Sequence, residues 1–424
     1  MSKIDCNYHS RTTREKDCNY DINEREYMEN PKYNPLRLEK DYVRALNATK
    51  IDKFMSKPLI KTYMLHNEGI NKLERYKTNF ITASYSNEII IWDLLQRVVK
   101  NKYELSTMIN TIGINDKYCF ASQDKSILLL DNQSDSNHEF CYDELYGFNN
   151  NTIDKHKKFS TSQLNKISYS SKIDSKYTIT WMNIKDTNVV ISTLNNYFIY
   201  SLDQNSYAYE RSGECKFIKF NASFPGLIGG INNSKMFVED IRSNTKIISI
   251  KGAYNCFNFY EDMLYIGGDN YTVFDMRNIE KPIKEYDIVG SVLSIDNTCK
   301  HGKNRTVLGT TENIIYTFNK EALSDIYYNQ RMGLVHGVKY SGCGNYIISG
   351  SDDGNIRLWK AISNQKSLIS AKEKKSIEER VMLQYKFKNI NEIERIKKHI
   401  FLPKDIKQKI KEQNIKRDKL NRTN

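Results

Sequence analysis

Basic side chains are concentrated at the end of the sequence, where their chemistry would be the neutralisation of a polyanion. Residues 362–424 contain 18 Lys plus Arg and 8 Asp plus Glu, a net charge of +10, which leaves only +3 for residues 1–361. This surplus exceeds what solubility requires and favours a nucleic acid, because each neutralised phosphate releases a counterion. The candidate contacts for RNA or a protein partner are Arg395, Lys397, Lys398, His399, Lys404, Lys407 and Lys411.

Amphipathic helices are the elements that would position these side chains. Apolar residues recur at helical spacing through residues 372–400, at Ile377, Val381, Tyr385, Ile390, Ile393, Ile396 and Ile400. Pro403 suits the first turn of a further helix. Tyr385, Phe387 and Phe401 could stack on unpaired bases or could equally be packed within the helices. A solvated helix lying on the rest of the protein is the alternative to RNA binding.

Catalytic and metal-binding signatures are missing from the sequence. It contains no HExxH, no GxSxG and no GxGxxG after a strand. Gly302 and Lys303 do not form a phosphate loop, because Asn297 and Asn304 replace the required glycine and hydroxyl residue. The pair Cys6 and His9 supplies only two ligands, too few for a zinc site. The sequence therefore predicts no catalytic, metal or cofactor-binding residue, no cofactor and no small-molecule substrate.

A strand, a tight turn and a second strand are encoded in residues 347–359, IISGSDDGNIRLW. This pattern is typical of one WD-repeat unit. The carboxylate of Asp353 is suited to accept hydrogen bonds across the turn, and Gly354 tolerates the backbone geometry that the turn needs. We therefore predict structural roles for Asp353 and for Trp359, the last residue of the pattern.

Degenerate copies of this unit recur upstream. Each copy ends at an anchor residue, and the anchors are Trp92, Leu130, Leu202, Glu239, Phe274, Phe318 and Trp359. Their separations are 35 to 44 residues, apart from one of 72, and a propeller blade takes about 40 to 45. The prediction is an all-β, seven-bladed WD-repeat β-propeller at residues 59–361, with an N-terminal helical segment and a C-terminal basic α-helical extension at residues 362–424.

The separation of 72 residues leaves two interpretations open. We interpret residues 132–172 as a polar insertion, and the alternative is an eighth blade that ends near residues 166–170. Asp124 occupies the turn position of the second blade and, like Trp92 in the first, is expected to be structural. A propeller must also close its ring so that no sheet edge is left open. Residues 59–65 are expected to supply the outer strand of the last blade.

The N-terminal region divides at about residue 30. Residues 1–30 are polar without a regular apolar period and are predicted to be flexible. Residues 31–58 carry apolar side chains at helical spacing and form a candidate docking helix, with Tyr42, Leu46 and Phe54 as its candidate contacts. This helix would pack on the propeller edge or dock on a partner.

Composition excludes several classes of protein. With 39% hydrophobic and 27% charged residues, the chain can bury a large core. No apolar run approaches the length of a membrane span, and the N-terminus lacks the apolar segment of a secretory signal. The eight Cys are scattered without a CxxC pair, which suits a reducing compartment. We therefore expect neither membrane insertion nor secretion.

Three separated blocks together resemble one family. They are DYVRALNATKIDKFMSKP at 41–58, the last repeat at 331–361, and EIERIKKHIFLPKDIK at 392–407. These blocks are similar to the segment before the propeller, the final repeat and the Sof-like domain of the suppressor-of-fibrillarin WD-repeat proteins. The residues that match the Sof-like pattern are Phe387, Glu392, Ile393, Arg395, Ile396, His399, Pro403 and Lys404. Ile400 and Phe401 depart from it, where the family usually has a basic residue and a histidine.

The resemblance implies a role in ribosome assembly. It implies a non-catalytic scaffold of the U3 small nucleolar ribonucleoprotein and the small-subunit processome, acting in maturation of 18S-type ribosomal RNA. The implied partners are precursor ribosomal RNA or U3 small nucleolar RNA and other processome proteins, and the implied location is the nucleolus of the nucleus.

A second function is implied by other members of the same family. Some resemble substrate receptors of a cullin-RING ubiquitin ligase, whose adaptor recognises WDxR at the ends of blades. The corresponding sites here are 239–242 and 274–277, where Arg242 and Arg277 are kept and the Trp is lost. An arginine that caps a strand or pairs with a neighbouring blade is an equally good interpretation.

Overall fold

The computed structural model describes residues 36–131, 171–363, 371–399 and 403–423, apart from short breaks at 55, 95–97, 106, 116–117, 124–125, 175–177, 186, 203, 205, 225, 244, 301–302 and 321. The described residues form two compact units. One comprises residues 58–363 and 403–423, and the other comprises residues 36–57 and 371–399.

The larger unit contains seven antiparallel four-stranded sheets among its described residues, as predicted for a seven-bladed propeller. The strands of blades 1 to 4, from the inside outward, are β2 (Ile70–Tyr76), β3 (Asn79–Ser84), β4 (Glu88–Asp93) and β5 (Val98–Glu104); β6 (Ile109–Ile114), β7 (Tyr118–Gln123), β8 (Ser126–Asp131) and β9 (Ser171–Asp174); β10 (Ile179–Lys185), β11 (Asn188–Thr193), β12 (Asn196–Ser201) and β13 (Ser206–Ser212); β14 (Phe217–Phe220), β15 (Leu227–Ile231), β16 (Lys235–Asp240) and β17 (Thr245–Lys251).

The last blade joins the two ends of the propeller. Blades 5 to 7 consist of β18 (Tyr254–Tyr260), β19 (Met263–Gly268), β20 (Asn270–Asp275) and β21 (Lys284–Asp287); β22 (Val292–Lys300), β23 (Lys303–Thr310), β24 (Ile314–Asn319) and β25 (Ala322–Tyr328); β26 (Val335–Tyr340), β27 (Tyr346–Ser351), β28 (Asn355–Lys360) and β1 (Leu59–Met64). Strand β1 pairs antiparallel with β28. The predicted ring closure is confirmed, and it removes an open edge that would recruit another chain.

A bulge near the start of the inner strand repeats around the ring. The pairing of inner and second strands shifts there in six blades. In blades 1, 2 and 5 the residue at this point is an asparagine whose amide donates to a carbonyl of the next blade. These bonds run from Asn71 to Ile109 at 3.0 Å, from Asn110 to Ile179 at 3.0 Å and from Asn255 to Val292 at 3.3 Å. The bulge thus links each of these blades to its neighbour.

The anchor residues lie on the third strands, where they fill the core between blades. Trp92 and Trp359 are each 1% exposed. Trp359 Nε1 donates to Ser349 Oγ at 2.9 Å, and its ring stacks on Tyr327. The predicted anchor of blade 3, Leu202, is wrong by two residues. In blade 1 the anchor Trp92 pairs with Phe80, the second residue of β3, and in blade 3 the residue that pairs with the second residue of β11, Val189, is Tyr200. Leu202 follows the end of β12.

Glu239 is a carboxylate at an anchor position that other blades fill with apolar residues, and it is only 2% exposed. Tyr197 Oη donates a hydrogen bond to it, and Arg211 and Lys246 lie 3.2 and 3.4 Å from its oxygens. Burial and then this hydrogen bond raise the pKa of Tyr197, which stays protonated as a donor. Because the charge is paired and hydrogen-bonded, blade 4 tolerates the degenerate repeat.

The long insertion connects two strands of the same blade. Residues 132–170 lie outside the described residues, as does Asp124, while 171 and 172 already belong to strand β9. Strand β9 pairs with β8 and completes blade 2. The 72-residue separation therefore corresponds to one blade with an insertion between its third and fourth strands, and the seven sheets leave the eighth blade unsupported.

The turn before β28 is held by a network around Asp353. This carboxylate accepts hydrogen bonds from the Ser351 hydroxyl, from the Asn355 amide and from both Nη atoms of Arg357. Arg357 is 2% exposed and also donates to Ser351 Oγ at 2.7 Å. Burial opposes the charge of Asp353, but the hydrogen bonds outweigh it and lower its pKa. The structural role predicted for Asp353 agrees with these contacts.

Four helices complete the described chain: α1 (Arg37–Phe54), α2 (Ala371–Lys386), α3 (Asn391–Lys398) and α4 (Lys404–Thr423). Helices α1, α2 and α3 belong to the smaller unit, and α4 belongs to the propeller unit. Within the described ranges, none of these helices combines the length and apolarity needed to cross a membrane.

Candidate nucleic-acid interface

Helix α4 packs on the propeller through one face. Ile406 is 6% exposed and belongs to the apolar cluster of blades 5 and 6, and Ile410 packs against the same cluster. Gln413 Nε2 donates to the carbonyl of Ile288 at 3.0 Å. Lys409 bonds to the carboxylate of Glu312, which lies in the turn between β23 and β24. About two helical turns are thereby fixed to the propeller.

Lys404, Lys407 and Lys411 form what we call the outward lysine face. With 3.6 residues per turn, they lie about 100 to 160° around the helix from Ile406. All three are exposed, and none forms an ion pair with a residue in the described ranges. Helix α4 contains eight basic and three acidic residues, so its net charge is +5. The arrangement presents unneutralised ammonium groups on a helix that the propeller holds in place, which is suited to contacts with phosphates.

The remaining basic candidates lie in the smaller unit. Arg395 and Lys397 are exposed on α3, and Lys398 is its last residue. His399 follows the helix, and its ring centroid lies 6.5 Å from that of Phe54. The seven candidates thus divide between two compact units, with only three of them on α4.

Helix α1 packs on the C-terminal helices of the same unit. Tyr42 Oη donates to the Glu392 carboxylate, and this bond raises the pKa of Tyr42. The Tyr42 ring meets Phe387 edge to face at 6.0 Å between centroids. Leu46 is partly buried, whereas Phe54 is 53% exposed. The docking partner of α1 includes α2 and α3, an arrangement that the sequence analysis did not consider.

Polar contacts and small side chains complete this helical unit. Asp52 accepts a hydrogen bond from Gln384 at 2.7 Å, and Lys386 lies 3.3 Å from Asp41. Ala45 and Ile393 are both fully buried. Small residues on α1 allow close approach of the helices, so residues about 350 positions apart in the chain share one small core.

Two stretches of the chain match models of known families. Residues 361–424 match the model of the Sof1-like domain, and residues 326–360 match that of the WD domain, G-beta repeat. The C-terminal part of the chain is therefore similar to the Sof1-like domain. The family resemblance expected from the sequence is confirmed by this match.

Similar proteins extend over most of the chain. Protein SOF1 of Saccharomyces cerevisiae is 25% identical over 445 residues, covering 93% of this chain and 84% of that protein. DDB1- and CUL4-associated factor 13 of Homo sapiens is 26% identical over 416 residues, covering 92% and 86%. The protein of the same name from Xenopus tropicalis is 25% identical over 413 residues, with the same coverage. The similarity therefore includes the propeller as well as the Sof1-like domain.

Several residues that match the Sof-like pattern have packing roles in the helical unit. Phe387 and Glu392 contact Tyr42, and Ile393 is fully buried. These residues hold the helical unit together, whereas Lys404 is exposed on α4. Ile400 and Phe401, which depart from the family pattern, lie outside the described residues.

The two arginines of the degenerate adaptor motifs cap strand ends. The backbone N–H of Arg242 donates to Asp240 at 2.9 Å, and that of Arg277 donates to Asp275 at 3.0 Å. The Arg277 guanidinium also bonds to both oxygens of Asp275, and this lowers the pKa of that carboxyl. Both arginines are exposed. Arg277 is nevertheless bonded to Asp275 of its own blade, which agrees with the alternative interpretation of an arginine that caps a strand.

A group of polar residues at the centre of the ring was missed by the sequence analysis. A cavity of about 340 Å³ is lined by the inner strands, including Lys72, Lys216, Lys219 and Lys339. Lys216 and Lys219 lie three residues apart at the inner strand of blade 4, whereas Lys72 and Lys339 come from blades 1 and 7. No single segment reveals the cluster, because only the closed ring brings these three blades together. The same described ranges contain no group of three His, Cys, Asp or Glu that could hold a metal ion.

Proposed function

We propose that the protein is a non-catalytic scaffold of the small-subunit processome, acting with U3 small nucleolar RNA in maturation of 18S-type ribosomal RNA in the nucleolus. Its similarity to Protein SOF1 and its Sof1-like domain support this assignment. A propeller offers several faces for protein partners, and the basic helix offers one for RNA. The partners in this proposal are precursor ribosomal RNA or U3 RNA and other processome proteins.

The observation that carries the proposal is the outward lysine face of α4. Its three ammonium groups point away from the apolar contacts that hold the helix, and they have no carboxylate partner in the described part of the chain. Exposed lysines without acidic partners are available to phosphates at little cost in competing ion pairs. Phosphate contacts of this kind position a protein on RNA without reading its sequence.

Charge reversal of the outward lysine face should weaken RNA binding. We expect Lys404, Lys407 and Lys411 changed together to Glu to lower the affinity for U3 RNA by at least about tenfold. The slope of log affinity against log salt should fall by about 2, since each lost phosphate contact removes roughly 0.7 to 0.9. The measurements are RNA binding at several salt concentrations and the recovery of U3 and precursor RNA with the tagged protein.

Charge-matched variants distinguish a specific role of the outward lysine face in RNA binding from the effect of the net charge of the protein. Lys251, Lys281 and Lys284 are exposed on the propeller, and their change to Glu alters the net charge equally. This control should retain most of its RNA affinity. A further variant, Arg395→Glu with Lys397→Glu, tests the helical unit independently. Equal losses in the control and in the α4 variant would contradict a specific role for the outward lysine face.

The second candidate function is that of a substrate receptor of a cullin-RING ubiquitin ligase. It is favoured by the similarity to proteins named DDB1- and CUL4-associated factor 13. Arg242 and Arg277 would be the contacts with the adaptor. Asp275 competes for Arg277 in the free protein, so binding through Arg277 must replace those hydrogen bonds.

The double change Arg242→Ala and Arg277→Ala should decide this candidate. If the ligase function holds, the adaptor co-purifies with the tagged protein and is lost from the variant, while U3 RNA recovery is unchanged. We expect little effect on folding, because both side chains are exposed and surface pairs contribute at most about 1 kcal/mol. Absence of the adaptor from the wild-type complex would reject the ligase function and leave the processome proposal standing.

A further inference from the structure

The centre of the propeller carries more positive than negative charge. Lys72, Lys216, Lys219 and Lys339 line the cavity described above, together with a single carboxylate, Glu74. Lys339 Nζ is 2.7 Å from a Glu74 oxygen, so this carboxylate already has its own ion pair. Three lysines remain without a carboxylate within ion-pair distance in the described structure.

Lys72 and Lys219 are held in positions that disfavour their charge. The Lys72 ammonium lies 4.1 Å from the centre of the Trp181 ring and makes no hydrogen bond to a described residue. Among the described residues, Lys219 Nζ donates to the neutral side chain of Asn258, at 2.6 Å, and to no carboxylate. Burial lowers the pKa of Lys72 to about 8, and burial together with repulsion from Lys339 lowers that of Lys219 to about 8. An anion bound next to these lysines would stabilise their charged forms.

The cavity also has the size and polarity of a small ligand site. Its volume of about 340 Å³ is at the lower end of the range for ligand pockets. A second cavity of about 330 Å³ shares Asn71, Lys72 and Thr180 with it, so Lys72 stands where the two meet. The rings of Trp181 and Phe217 lie 4.2 Å apart at one wall. The ammonium groups supply the positive charge that an anion requires, and the aromatic rings form an apolar wall beside them.

We propose that the central cavity of the propeller binds a small phosphate-bearing anion, with Lys72, Lys216 and Lys219 as its ligands. The four lysines exceed the two carboxylates that act on them, Glu74 and Asp296, and the anion balances this surplus while Lys339 stays paired with Glu74. Free inorganic phosphates and organic phosphates share this chemistry. The site is separate from the outward lysine face and does not depend on the proposed function.

Calorimetric titration of the full-length protein with inorganic pyrophosphate at low salt tests the site. Lys72→Gln should weaken binding about tenfold, and Lys219→Gln should do the same, because each removes an unpaired charge from the cavity. Lys72→Arg should retain binding. A parallel titration with ADP distinguishes the sources: tighter binding of ADP, competitive with pyrophosphate, assigns the site to organic phosphates.

Two controls make the test decisive. Lys251→Gln removes an exposed charge far from the inner strands and should leave affinity unchanged. The thermal unfolding midpoint of each variant verifies that it folds, and Lys72→Gln removes an unpaired charge without leaving a carboxylate alone. Undetectable binding of pyrophosphate by the wild-type protein, or equal affinity in wild type, Lys72→Gln and Lys219→Gln, would overturn the proposal. Loss of binding only on changing Lys404, Lys407 and Lys411 to Glu would place the anion on α4 instead and would also overturn it.

Discussion

Asp353→Ala is expected to lower the free energy of unfolding of the propeller by about 3 kcal/mol. The change leaves the Arg357 guanidinium, which is 2% exposed, without the carboxylate that accepts from both of its Nη atoms. Removing one partner of a buried pair costs much more than the pair itself contributes, because the other charge stays buried and uncompensated. Urea unfolding followed by tryptophan fluorescence measures the loss, since Trp359 lies on β28, the same strand as Arg357.

The neighbouring aspartate provides the control. Asp352→Ala removes a carboxylate that is 48% exposed and lies 3.9 Å from His336, so we expect a change within about 0.5 kcal/mol. The double variant Asp353→Ala with Arg357→Met should recover part of the lost stability, because it no longer buries an unpaired charge. The folded-state pKa of Asp353 is depressed, so its contribution is present at neutral pH and is lost as pH falls through that pKa. Equal effects of Asp352→Ala and Asp353→Ala would contradict the role of this network.

Ile406→Ala is the change expected to release α4 from the propeller. Ile406 is 6% exposed within the cluster of blades 5 and 6, and truncating a buried isoleucine costs about 3 kcal/mol. A 20-residue charged helix has little stability alone in water, so loss of docking should also unwind it. We expect amide hydrogen exchange in α4 to accelerate about a hundredfold, while exchange in the inner strands stays slow.

An isoleucine on the opposite side of the same helix serves as the control. Ile415 is 45% exposed and lies about 180° around the helix from Ile406, so Ile415→Ala should leave exchange in α4 nearly unchanged. Lys409→Ala removes the bond to Glu312 at the surface and should cost no more than about 1 kcal/mol. Slow exchange in α4 of the Ile406→Ala variant would mean that polar contacts, and not the apolar cluster, hold the helix.

The repeat pattern was readable from the sequence because each blade is a local unit. Strand, turn and strand recur every 35 to 44 residues in most of the chain, and the turn around Asp353 carries its own hydrogen-bonding residues. The closing strand β1 followed from a general requirement, since a ring of sheets cannot leave an edge open. The error at Leu202 arose because two aromatic or apolar residues, Tyr200 and Leu202, lie near the same acidic residue in the sequence, and only the pairing of Tyr200 with Val189 shows which one takes the anchor position.

Long-range packing decided what the pattern could not. The apolar stripe of α1 was visible, but its contacts with Phe387 and Glu392 join segments separated by the whole propeller. The tail charge was equally visible, yet only the docking of Ile406 separates the outward lysine face from Lys409, which is bonded to Glu312.

The sequence by itself determined the repeat architecture, the closing strand and the basic character of the tail, because these follow from local periodicity, edge closure and composition. The structure decided between seven and eight blades, since it shows β9 pairing with β8 in one blade. The tertiary structure alone decided which lysines face solvent and which gather in the central cavity. Lys72, Lys216 and Lys219 come from two blades, and Lys339 from a third, and only closure of the ring brings them to one cavity. Burial and charge proximity are properties of that closed arrangement, so they cannot be read from any one segment.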